Sequence, residues 1–116
     1  MRSVLLSFWR RMTRPRLLDI TFSELGFVLV YRKTRVFVSW DDVRLVVGRL
    51  LGGVTMDVTA LDIYSGSVSF QVAEPDPKFL EAKRAVETHL HIGGEWYGHV
   101  NSDPHSYEPL ILLDRR

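Results

Sequence analysis

Four histidines, a pair of neighbouring carboxylates and a basic arm are the residues whose types could do chemistry. His89 and His91 straddle the end of a predicted helix, and His99 and His105 lie in the tail with Asp103 between them. Imidazoles beside a carboxylate suit a zinc site or a general acid–base pair, but zinc requires three or four ligands converging on one point. An i, i+2 spacing at a helix end sends two side chains in different directions, so convergence here demands an irregular turn. Histidines near a helix C-terminus also complement its dipole or simply face solvent. Asp41 and Asp42 are adjacent, which in a strand means opposite faces and in a turn means capping of backbone donors. Two-carboxylate catalysis wants its acids separated across a cleft. No Gly-x-Ser-x-Gly elbow is present. Gly48, Gly52 and Gly53 match neither a phosphate loop nor a dinucleotide fingerprint. With no cysteine in the chain, thiolate ligands, cysteine nucleophiles and disulfides are excluded. The residues thus point to no catalytic residue, no metal site and no cofactor. The competing reading is a metal-dependent or acid–base enzyme using the C-terminal histidines with Asp103.

Binding offers more. Residues 1–16 carry five arginines and no acid, whereas the remaining 100 residues hold 10 basic and 14 acidic side chains. On a helical wheel Val4, Leu5, Phe8 and Met12 cluster with Trp9 beside them, and Arg10, Arg11 and Arg14 lie opposite. That is the layout of an interfacial helix on an anionic membrane. It is equally the layout of a helix packed on the domain's own sheet or on a second copy. The run Val4 to Trp9 is too short to span a bilayer, which takes about 20 residues, and it lacks the cleavage site of a secretory signal. The acidic body is a poor surface for nucleic acid. Trp96 and Tyr97 join Trp9, Arg10, Arg11 and Arg14 as candidate binding residues, because Trp and Tyr are enriched at interface hot spots. The opposing reading is that Trp96 covers the core, as is expected of Trp40.

The elements that must position these residues follow from hydrophobic period. Pro15 closes the arm, leaving residues 17–116 as one α+β domain. Leu18 to Phe22, Phe27 to Tyr31 and Val36 to Trp40 read as strands, separated by turns at Glu24-Leu25-Gly26 and Arg32-Lys33-Thr34. Asp41-Asp42 makes a bend into a strand from Val43 to Leu51, and another strand starts near Thr55. A hairpin with Ser65-Gly66 as its two-residue turn sets Ile63 opposite Val68, Leu61 opposite Phe70 and Thr59 opposite Val72, with Gly66 supplying a positive φ. After Glu74 the period changes. Asp76 is a good N-cap, Phe79, Ala82, Val86 and Leu90 form one stripe, and Gly93-Gly94 ends the helix. The run Leu110 to Leu113 follows a polar loop as a candidate closing strand. The expectation is an antiparallel sheet or open barrel of five to six strands with one principal helix at about residues 76–91.

The Trp40-Asp41-Asp42-Val43 bend, the strand bearing Asp57, Leu61 and Ile63, the strand end at Val72 and Glu74, and the helix opening at Phe79 together resemble a family of small uncharacterised bacterial proteins. Trp96, Pro109, Leu112 and Arg115 are compatible with it, so the resemblance spans about residues 22–115. Members keep a lysine-rich, acidic segment between the third and fourth strands, where this chain has Val47 to Gly53. The family is similar in pattern to pleckstrin-homology-like domains. The resemblance implies a bacterial, cytoplasmic setting and brings no catalytic residue. The functional expectation is a non-catalytic module that binds a protein partner or an anionic membrane surface, peripheral to the membrane where the arm is engaged.

Overall fold

A computed structural model describes residues 17–52, 56–66, 68–102 and 107–116 of the chain. The strands are β1 (Leu17–Phe22), β2 (Gly26–Tyr31), β3 (Arg35–Ser39), β4 (Val43–Leu51), β5 (Val58–Ser65), β6 (Ser69–Ala73) and β7 (Leu110–Asp114). The helices are α1 (Phe79–His89) and α2 (Glu95–Asn101), and a single 3-10 turn spans Trp40–Asp42. All strand pairs are antiparallel, and they fall into two sheets ordered β1-β2-β3 and β6-β5-β4-β7. The α+β, antiparallel expectation holds. The expected five to six strands become seven among the described residues, and two open sheets replace one sheet or barrel. The change of sheet is made at the Asp41-Asp42 bend. There the Ser39 hydroxyl accepts the Asp41 amide and the chain turns through the 3-10 turn out of β3 and into β4.

Both early turns fall where expected. Gly26 opens β2 in a place only glycine fits, because a β-carbon there would stand 2.0 Å from the Val38 carbonyl oxygen across the sheet. The later hairpin keeps its faces but not its register. Ile63 lies opposite Phe70, Leu61 opposite Val72 and Asp62 opposite Gln71, so Leu61 and Phe70 are diagonal neighbours rather than partners. Ser65 explains the shift: its amide and hydroxyl both donate to the Val68 carbonyl and its hydroxyl accepts the Val68 amide, which makes Ser65 the last strand residue instead of a turn residue. A slip of two leaves every side chain on its own face, so the hydrophobic pattern alone does not separate the two registers. No glycine among the described residues has a positive φ, Gly66 included.

The first helix begins three residues later than expected. Asp76 caps the turn before it, its carboxylate accepting the Lys78 amide at 2.8 Å and its carbonyl the Phe79 amide at 3.0 Å. Phe79, Ala82, Val86 and Leu90 are all buried, as their spacing demands. The helix is stopped by His91 rather than by Gly93-Gly94. His91 takes the left-handed conformation at φ 55°, and the Ile92 amide reaches back to the Glu87 carbonyl, with Ile92 buried behind it. The short helix α2 is unforeseen in the sequence. Trp96 and Tyr97 stand on it, not in an irregular tail.

One face of the four-stranded sheet collects everything else. Gly48 lies under Trp96 of α2, Thr59 bonds Asn101 of α2, and Phe70 meets Phe27 of the first sheet edge-on at 5.3 Å. Trp40 sits where the two sheets part, 6% exposed, its indole Nε1 donating to the Ser23 carbonyl and its ring stacked 5.0 Å from His89. The arm, the start of a strand near Thr55, and His105 and Asp103 lie outside the described residues. No helix among the described residues is long and apolar enough to cross a membrane.

Candidate functional site

The edge strand β7 hydrogen-bonds only to β4, so its outer side is an unpaired strand edge among the described residues. Alongside it runs an open groove of about 660 Å³. The helix stop supplies one wall through His91, Ile92 and Gly93. The exposed face of α2 supplies Glu95, Gly98 and His99, and β7 supplies Leu110, Ile111 and Leu112. Ile92 and Trp96 make a buried floor, while Ile111 remains 55% exposed. Gly98 leaves its part of the groove empty, with nothing within 4 Å of where a β-carbon would be. A second hollow of about 180 Å³, bounded by Phe37, Asp42, Arg44 and Gly66, is smaller than the usual ligand pocket.

Polar bonds hold α2, and so the groove wall, against the sheet. Trp96 donates from Nε1 to Glu87 at 2.8 Å, and the same carboxylate pairs with Lys83 at 2.7 Å. Lys83 in turn stands over the rings of Trp96 and Tyr97, 5.9 and 5.7 Å from their centres. At the far end of the helix Asn101 donates to the Thr59 hydroxyl at 2.9 Å and to the Tyr97 carbonyl at 2.8 Å. The Tyr97 hydroxyl donates to Glu74, whose other oxygen accepts the Thr59 amide at 2.8 Å. Burial pulls the Glu74 carboxyl upward, but the bonds from Tyr97 and Thr59 outweigh it and hold the group below its ordinary value. The bond to the Glu74 carboxylate, with burial second, raises the Tyr97 hydroxyl above its own.

The residues singled out in the sequence are therefore dispersed. Trp96 is 3% exposed and belongs to the core, and Tyr97 is half-buried in the Glu74 network. His91 and His99 share the groove with Glu95, whereas His89 stacks on Trp40. No three histidine, aspartate or glutamate side chains among the described residues form a set that could hold a metal ion. Asp41 and Asp42 are exposed on the 3-10 turn. Trp9, Arg10, Arg11 and Arg14 lie outside the described residues. Sequence reasoning misses Gly98 and Ile111, because only the antiparallel pairing of β7 with β4 brings the tail beside α2; the apolar run at residues 110–113 is the one signal of it. No protein-family model, no curated protein and no solved structure matches the chain.

Proposed function

We propose that this chain is a non-catalytic protein-interaction module that takes an extended peptide segment of its partner along the outer edge of β7. The observation that carries the reading is the coincidence of an unpaired strand edge with an adjoining open groove. Main-chain bonds to such an edge supply affinity, and a groove beside it receives alternate side chains of the added strand. Apolar residues of the peptide meet Ile111, Leu112 and the floor at Ile92 and Trp96, while Glu95, His91 and His99 offer polar partners at the rim. The separation of His89 from the other described histidines supports binding over chemistry. The pleckstrin-homology-like, bacterial and cytoplasmic attributes belong to the same proposal. An antiparallel sheet with its helices late in the chain is in keeping with the first of these alone, although β7 follows those helices.

A random peptide library displayed on phage and selected on the full chain tests the reading. Enriched peptides should alternate apolar and polar residues and bind in the micromolar range. Gly98→Trp fills the groove from an exposed helix position, and Ile111→Lys charges the edge, so each should weaken binding at least tenfold while melting stays unchanged. Equal binding by both variants, or no enrichment, refutes the proposal.

A further inference from the structure

The groove beside β7 contains a single carboxylate. Among the described residues that line it only Glu95, His91 and His99 are ionisable, and none is a lysine or arginine. Glu95 is exposed and pairs with no described residue. The two carboxylates that bond to α2 are, by contrast, already engaged. Glu87 accepts Trp96 Nε1 and pairs with Lys83, and Glu74 accepts the Tyr97 hydroxyl and the Thr59 amide. The helix stop makes room for the Glu95 carboxylate, because a β-carbon at Gly93 would collide with both of its oxygens. Gly93 has no positive φ, so glycine there supplies space rather than a special backbone conformation.

We infer that the segment bound along β7 carries an arginine or lysine that enters the groove and pairs with Glu95, next to an apolar side chain that meets Ile92 and Ile111. The inference rests on the peptide-binding reading of the groove and names the chemistry of the peptide. Side chains of an added strand alternate between groove and solvent, which puts the basic and the apolar residue two positions apart. An acidic segment would instead set a carboxylate against Glu95. The body of the chain favours the same partner, since residues 17–116 hold 10 basic and 14 acidic side chains, a balance that draws cations to the surface. An imidazole accepts at one nitrogen and donates at the other, so His91 and His99 can serve the peptide main chain beside the pair.

The random phage library, selected in parallel on the full wild-type chain and on Glu95→Lys, tests the inference. The substitution falls on an exposed helix position and should leave melting unchanged. Wild type should enrich peptides with arginine or lysine two positions from an apolar residue. Glu95→Lys should enrich peptides with aspartate or glutamate at that place. An exposed pair of opposite charges adds up to about fivefold to affinity, and reversing one member turns attraction into repulsion. The best wild-type peptide should therefore bind Glu95→Lys about tenfold more weakly, with the difference shrinking as salt is added. Gly93→Ala displaces the carboxylate without straining the backbone and should weaken the same peptide about threefold. Enriched peptides with no basic residue, or equal binding by both variants, overturn the inference and leave the strand-edge reading in place. No enrichment by wild type overturns both. Self-association in sedimentation that Glu95→Lys abolishes would put a second copy of the chain in the groove, and so overturns a separate basic partner.

Discussion

The indole of Trp96 rests on the backbone of Gly48, so closely that a β-carbon at position 48 would stand 2.7 Å from Cε3 and 2.9 Å from Cζ3. The ring cannot yield easily, since Nε1 is tied to Glu87 and the Leu112 side chain lies against the same spot. Gly48→Ala should therefore lower stability by about 1–3 kcal/mol, the usual cost of overpacking. Chemical denaturation measures it. Trp96→Leu in the Gly48→Ala background should recover part of the loss, because the clash disappears with the ring.

The bond from Tyr97 to Glu74 makes stability depend on pH at both ends. The folded Glu74 carboxyl sits below its ordinary value of 4.5, so its contribution is present above that pH and is lost as pH falls through the lowered value. The folded Tyr97 hydroxyl sits above its ordinary 10.0, so its contribution is present below that pH and is lost as pH rises through the raised value. Tyr97→Phe should lower the melting temperature most between about pH 5 and pH 9, with the difference from wild type shrinking outside that window. A melting series across pH for both proteins checks the shape.

Asp62 places a carboxylate on a nearly buried strand position, held by Arg49 Nε at 2.7 Å from β4 and by Gln71 Nε2 at 2.7 Å from β6. Arg49 is 30% exposed, so solvent shares in the pairing. Arg49→Met leaves the carboxylate one neutral donor and should cost about 1–3 kcal/mol. Adding Asp62→Leu should return most of the loss, because replacing both members of a buried pair by apolar groups is often neutral or stabilising. Urea melts of the single and double variants decide it.

His91 holds the left-handed position that stops α1. A side chain there costs about 1–2 kcal/mol relative to the right-handed region. His91→Gly should raise the melting temperature, and His91→Val should lower it, since branching at the β-carbon makes the conformation worse. If His91 also contacts bound peptide, His91→Gly will weaken binding while the fold grows more stable.

The α1 stripe of Phe79, Ala82, Val86 and Leu90 is legible because a 3.6 period over eleven residues has no strand equivalent. Helix α2 is not: it is seven residues long, contains Gly98 and has no side-chain cap, so its stability comes from Trp96 on Gly48 and Asn101 on Thr59, contacts between distant parts of the chain. Faces are legible and partners are not, which is why Leu61 and Phe70 stay on the same face while their true partners are Val72 and Ile63. The division into two sheets rests on the bend at Trp40–Asp42, whose residues announce a turn without stating its angle. Of the groove only the apolar run at residues 110–113 is legible, because Gly98 comes beside it through the distant pairing of β7 with β4.

The pairing of β4 with β7 reaches far along the chain: Gly48 meets Leu110, 62 positions later. The Arg115 guanidinium then ties down the bend itself, donating to the Trp40 carbonyl at 3.1 Å and the Val43 carbonyl at 3.4 Å. During synthesis at about 5–20 residues per second, Gly48 waits roughly 3–12 seconds for that partner to be made. Through that interval the nascent chain presents Val46 and Val47 on an open edge to whatever strand arrives first. Crowded polysomes therefore add a second exposed edge, on β4, to the one that β7 keeps in the finished protein.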